Sequence, residues 1–91
     1  MKEKKYLWTF CVDAQTLQEA SYYWEYISQE LTNRFRFPSD SFAVVVSEKS
    51  IAGACYHFQV FTADRLPVVG MFAVLSGYRV SRYGVSKVVK K

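Results

Sequence analysis

From Tyr6 to Val12 the side chains alternate, with Tyr6, Trp8, Phe10 and Val12 on one side and Leu7, Thr9 and Cys11 on the other. Period two is the signature of a strand, and three of the four residues on one side are aromatic. A strand of this kind must lay its aromatic face against a cover. Asp13 ends it, and the next segment supplies that cover. Leu17, Ala20, Trp24, Ile27 and Leu31 recur at steps of three and four behind the capping box Thr16-x-x-Glu19, predicting a helix to about Asn33. Tyr22, Tyr23 and Tyr26 flank the stripe and read as boundary packing.

Residues Phe35 to Ser41, with Pro38 and Asp40, read as a connection. The β-branched run Phe42 to Ser47, the turn Lys49 to Gly53 and the run Ala54 to Thr62 predict an antiparallel hairpin. Asp64 and Pro67 suit the start of a second helix and Gly77 its end, although Val68 to Leu75 is apolar enough for a strand and Gly70 weakens a helix. From Ser81 the chain reads as a short C-terminal helix that buries Val85, Val88 and Val89, with an extra edge strand conceivable around Tyr78 to Val80. This order gives an α+β domain, an antiparallel sheet with helices packed on it, of ferredoxin-like or RRM-like topology. Many functions share that topology, so the fold alone selects none.

The chain has 91 residues, 51% of them hydrophobic, which is enough for one domain spanning 1–91 and too few for two. Its net charge is +4, unevenly spread. No acidic residue follows Asp64, whereas Arg65, Arg79, Arg82, Lys87, Lys90 and Lys91 do. A basic C-terminal third favours an anionic partner, nucleic acid first. The N-terminal segment lacks a signal peptide's apolar stretch and no run is long enough to span a membrane, so a cytoplasmic protein without membrane contact is expected. Cys11 and Cys55 have no CxxC spacing and no histidine pair near them, which argues against zinc. They read as small core residues, or as a bridge if their strands are neighbours.

His57, the single histidine, lies in Tyr56-His57-Phe58-Gln59, where strand alternation places His57 and Gln59 on one face. Glu48 ends the preceding apolar run. Tyr83 and Lys87 would stand one turn apart on a C-terminal helix. These residues resemble the motifs of the HUH-type rolling-circle replication initiators, the Rep endonucleases of small plasmids and single-stranded DNA viruses. Leu7-Trp8-Thr9-Phe10 is similar to the family's first motif, His57-Phe58-Gln59 to the His-hydrophobic-Gln variant of its second, and Tyr83-Gly84-Val85-Ser86-Lys87 to its tyrosine motif. Three residues separate Tyr83 from Lys87 where the family usually has two.

The resemblance implies a metal-dependent nicking and joining enzyme. Tyr83 would attack a phosphodiester to give a 5′-phosphotyrosine, with Lys87 assisting, and Glu48, His57 and Gln59 would hold Mg²⁺ or Mn²⁺. Such an ion neutralises phosphate charge and leaves open positions for substrate oxygens. The implied partner is single-stranded DNA at a replication origin, held by Arg79, Arg82 and Lys90, with helicase and polymerase supplied separately. An exposed sheet edge would favour a homodimer. The rival expectations are a non-enzymatic RRM-like single-strand binder and a small viral or plasmid protein that meets a partner through its tyrosine-rich helix.

Overall fold

The structure is a computed structural model that describes residues 5–38, 46–47 and 55–88. Strand β1 (Tyr6–Asp13) leads to helix α1 (Leu17–Asn33), strands β2 (Val46–Ser47) and β3 (Cys55–Thr62), helix α2 (Met71–Leu75) and strand β4 (Val80–Lys87). The sheet order is β2-β3-β1-β4, and every described pairing is antiparallel. This is the ferredoxin-like α+β arrangement expected from the sequence. Among the described residues no helix is long and apolar enough to cross a membrane.

The period-two pattern of β1 does what its aromatic face requires. Trp8, Phe10 and Val12 are buried beneath the helices with Phe58 and Val60 of β3. From α1 come Ala20, Trp24, Ile27 and Leu31, and from α2 Met71 and Leu75. Trp24 lies flat on Phe58, with ring centroids 4.6 Å apart, and tilts against Phe10 at 5.6 Å. Leu17, the first residue of the expected stripe, is instead about half exposed at the helix start.

The capping box is partly realised, since the Glu19 backbone N–H donates to Thr16 Oγ1 at 3.1 Å. Thr16 itself has an extended backbone, as an N-cap requires. Thr16→Ala is therefore expected to cost about 1 kcal/mol. Thermal denaturation should register it as a fall of roughly 4–8 °C in Tm.

The C-terminal third departs from expectation twice. The second helix does not start at Asp64 or Pro67; it begins at Met71, after Gly70 in a left-handed conformation at φ 74°. The β-branched pair Val68 and Val69, and Gly70, each weaken a helix there. Helix α2 continues into one 3₁₀ turn, Ser76–Tyr78, and the left-handed stop falls on Arg79 at φ 70° rather than on Gly77. Two contacts hold that turn: the Arg79 carbonyl accepts from the Asp13 N–H at 2.8 Å, and its guanidinium lies 5.9 Å from the Tyr23 ring centroid.

The second departure is larger. Among the described residues no helix follows Ser81, Val89 lying outside them; the segment is the edge strand β4, eight residues long and paired with β1 from Tyr6↔Lys87 to Val12↔Val80. One extra residue, Ser81, sits between Cys11↔Arg82 and Val12↔Val80 as a β-bulge. Because of it, Val80 enters the core beside Val12 while Arg82, two residues on, stands opposite Cys11 on the other face.

Candidate functional site on the open sheet face

The described helices cover one face of the sheet and leave the other uncovered. The pairing register assigns its residues: Leu7, Thr9, Cys11 and Asp13 from β1; Cys55, His57, Gln59 and Phe61 from β3; Arg82, Gly84 and Ser86 from β4. Directly opposite Cys11 stand His57 on one neighbouring strand and Arg82 on the other. Thr9, Cys11, His57 and Arg82 border a shallow hollow of about 280 Å³, which Tyr83 and Gly84 complete.

His57 and Gln59 share this face, as strand alternation predicts. Both are half-buried among their neighbours. Tyr83 does not join them. It pairs with Phe10, a core residue, and its ring stacks on Phe10 at 5.8 Å and lies 6.5 Å from Phe72 of α2. The tyrosine ring and the imidazole therefore lie on opposite sides of the sheet. Lys87 follows Tyr83 on the same side of β4, but four steps along the strand separate them by roughly 13 Å, not by one helical turn. The assistance imagined for a helix has no counterpart on a strand.

Of the basic residues expected to hold DNA, Arg82 lies on the open face. Arg79 instead packs on Tyr23 of α1. Lys90 and the expected metal ligand Glu48 lie outside the described residues. The tyrosines of α1 form a packed cluster that reaches the 3₁₀ turn, with Tyr26 stacked on Tyr78 at 6.0 Å and edge-on to Tyr22 at 5.2 Å. The Tyr22 and Tyr26 hydroxyls approach to 3.4 Å, and this contact holds the Tyr22 phenol above its usual pKa. Tyr23 packs against the core, the boundary role expected of all three, whereas Tyr22 and Tyr26 are exposed.

The fit of a hard cation can be judged from the donors near His57. Mg²⁺ and Mn²⁺ take oxygen ligands, chiefly carboxylates. Beside His57 the described residues offer sulfur from Cys11 and Cys55, whose ligand atoms lie within 4.8 Å of each other and of the imidazole. Gln59 adds one amide oxygen on the same face. The donors described within reach of the imidazole do not by themselves suit Mg²⁺ or Mn²⁺, and Glu48, the carboxylate expected among the ligands, lies outside the described residues, so no reaction step is derived through either.

The two cysteines are joined as a disulfide, Cys11–Cys55, with Cα atoms 5.8 Å apart. Their strands are neighbours, the condition set for a bridge by the sequence. The nearness of His57 to both sulfurs escaped the sequence reading, because adjacency of two strands is invisible to residue spacing. The signal was present in outline: Cys55 and His57 are two apart on one strand, and Cys11 shares strand parity with Thr9 on β1. Comparison with protein-family models, with curated proteins and with solved structures finds no match.

Proposed function

We propose that this chain binds a single-stranded nucleic acid across the open face of its sheet, as a non-enzymatic binding protein. The observation that carries the reading is chemical. The face carries one carboxylate, Asp13 at its edge opposite Cys55, and otherwise offers the Arg82 guanidinium together with Thr9, His57, Gln59 and Ser86. A cation contacts phosphate; hydroxyl, amide and imidazole groups reach base edges and sugars. The uneven charge of the whole chain adds long-range attraction.

Stacking contributes less here than in an RRM-type binder. Tyr6, Trp8 and Phe10 belong to the helix side, which leaves Phe61 and the His57 ring as platforms for bases. Affinity should therefore depend strongly on salt. Nicking through Tyr83 is the sharper reading of the same motifs, but it would require the phenol and the His57–Gln59 pair to meet across a sheet that separates them.

Fluorescence anisotropy with a labelled oligothymidylate tests the proposal. Binding is expected at low salt, weakening as salt rises, and Arg82→Gln should reduce the log–log salt slope by about 0.7, the loss of one phosphate contact on a single strand. Arg34→Gln, at the far end of α1 and paired with Glu30, should leave the slope unchanged. Absence of binding at low salt, or equal losses in both variants, would refute the assignment. The same oligonucleotide incubated with Mn²⁺ should give no covalent adduct; an adduct abolished by Tyr83→Phe would restore the nicking reading.

A further inference from the structure

The Cys11–Cys55 disulfide and His57 together hold the donors of a soft metal site. We infer that reduction of this disulfide converts the cluster into a Zn²⁺ site with Cys11, Cys55 and His57 as ligands and one open position. Three observations converge on it. The three ligand atoms lie within 4.8 Å of one another. In a tetrahedral zinc site, with Zn–S about 2.3 Å and Zn–N about 2.0–2.1 Å, neighbouring ligand atoms are roughly 3.5–3.8 Å apart, so small side-chain rotations suffice. All three residues project from paired strands of one sheet, Cys11 directly across from His57 and Cys55 two residues before it, so the backbone already fixes their spacing.

The third observation concerns what lies beside the sulfurs. Arg82 stands opposite Cys11 on β4. The hollow of about 280 Å³ bordered by Thr9 and Arg82 gives the fourth position room for water or an anion. Two thiolates and an imidazole select Zn²⁺ over Mg²⁺ or Mn²⁺.

The chemistry balances in two steps. A dithiol reductant gives two electrons and two protons to the Cys11–Cys55 bond and leaves as its own disulfide, so that the chain carries two thiols. Zn²⁺ then displaces one proton from each thiol to solvent and takes a lone pair from the His57 ring; zinc changes no oxidation state. In the reverse direction a small-molecule disulfide accepts two electrons from the two thiolates and two protons from solvent, leaves as two thiols, and the re-formed Cys11–Cys55 bond expels Zn²⁺ unchanged. The open face thus exists in two alternative forms, one closed by a sulfur–sulfur bond and one by a metal.

The test uses the full chain, oxidised and after reduction by a water-soluble phosphine, which takes one oxygen from water and competes poorly for metal. Under anaerobic conditions Co²⁺ is titrated as the probe, followed by displacement with Zn²⁺ in the presence of a chromophoric chelator. The reduced chain is expected to take one equivalent and to show thiolate-to-cobalt charge transfer and the intense visible bands of a tetrahedral site. The oxidised chain should show neither.

His57→Ala should weaken Zn²⁺ at least tenfold, while Cys11→Ser with Cys55→Ser should abolish uptake. Circular dichroism accompanies each titration. A reduced apo-chain that has lost structure and regains it with Zn²⁺ supports the inference. Zinc taken up without return of the fold, equal affinity in the oxidised chain, or undiminished affinity in His57→Ala overturns it.

Discussion

Trp8→Ala is expected to destabilise the chain by about 3–5 kcal/mol, the range for removing a large buried aromatic side chain. Trp8 is 1% exposed, lies edge-on to Phe37 at 5.0 Å, and donates its indole N–H to Thr62 Oγ1 at 2.8 Å. Thr62 in turn donates to the Asp64 carbonyl at 2.7 Å. The indole therefore joins the segments that leave the two ends of the core, one after α1 and one after β3. A domain of this size holds about 5–15 kcal/mol in total, so the loss should bring the melting temperature down by more than about 12 °C. Trp8→Phe keeps most of the ring and gives up one hydrogen bond, with an expected cost nearer to 1 kcal/mol. Urea unfolding of the three proteins gives the comparison, and a loss below that of the phenylalanine variant would contradict the packing of β1.

Reduction of Cys11–Cys55 in metal-free buffer has an effect of similar size and a different origin. The bridge closes a loop across a sequence separation of 44, and the loop-entropy relation assigns such a closure about 4 kcal/mol. Nearly all of it acts on the unfolded chain, in which it ties residue 11 to residue 55, and little on the native contacts, because Asp13↔Cys55 and Cys11↔His57 are already paired in the sheet. The melting temperature of the reduced chain should drop by more than about 15 °C. The double variant Cys11→Ala, Cys55→Ala, which cannot bridge or bind metal, should melt near the reduced wild type. Coincident melts before and after reduction would mean that the tether is not formed in solution.

The sequence made the first half of the molecule legible because its local signals agree with one another. Alternation in β1, the Thr16 cap and the three-four spacing of α1 each specify the element that forms. The hairpin partner β3 was equally plain from its β-branched and aromatic run. In the last third the signals conflict. Val80, Tyr83 and Val85 are the residues of β4 turned toward the helices, and the step of three from Val80 to Tyr83 imitates a helical period. That step exists because Ser81 is inserted as a bulge. An irregular strand thus took the appearance of a short helix, and with it Tyr83 and Lys87 seemed to share a turn.

The site was legible by face and illegible by neighbour. Alternation alone places His57 beside Gln59, but only the register between β1 and β3 brings Cys11 to the imidazole, and only the register between β1 and β4 sends Tyr83 to the opposite side. A spacing rule drawn from metal-binding loops cannot see ligands contributed by two strands 44 residues apart. The acid Glu48 belongs to a register argument that lies outside the described residues.

Ser81 also makes β4 tolerant in one place. Its extra length lies between two stretches that are each keyed to β1, Val80 against Val12 and Arg82 to Lys87 against Cys11 to Tyr6. A chain shortened by this single residue could close into a regular ladder with Val80 still facing inward and Arg82 still facing out. Position 81 is thus a slip joint: the length of the strand can change there by one residue without inverting any side chain on either side of it.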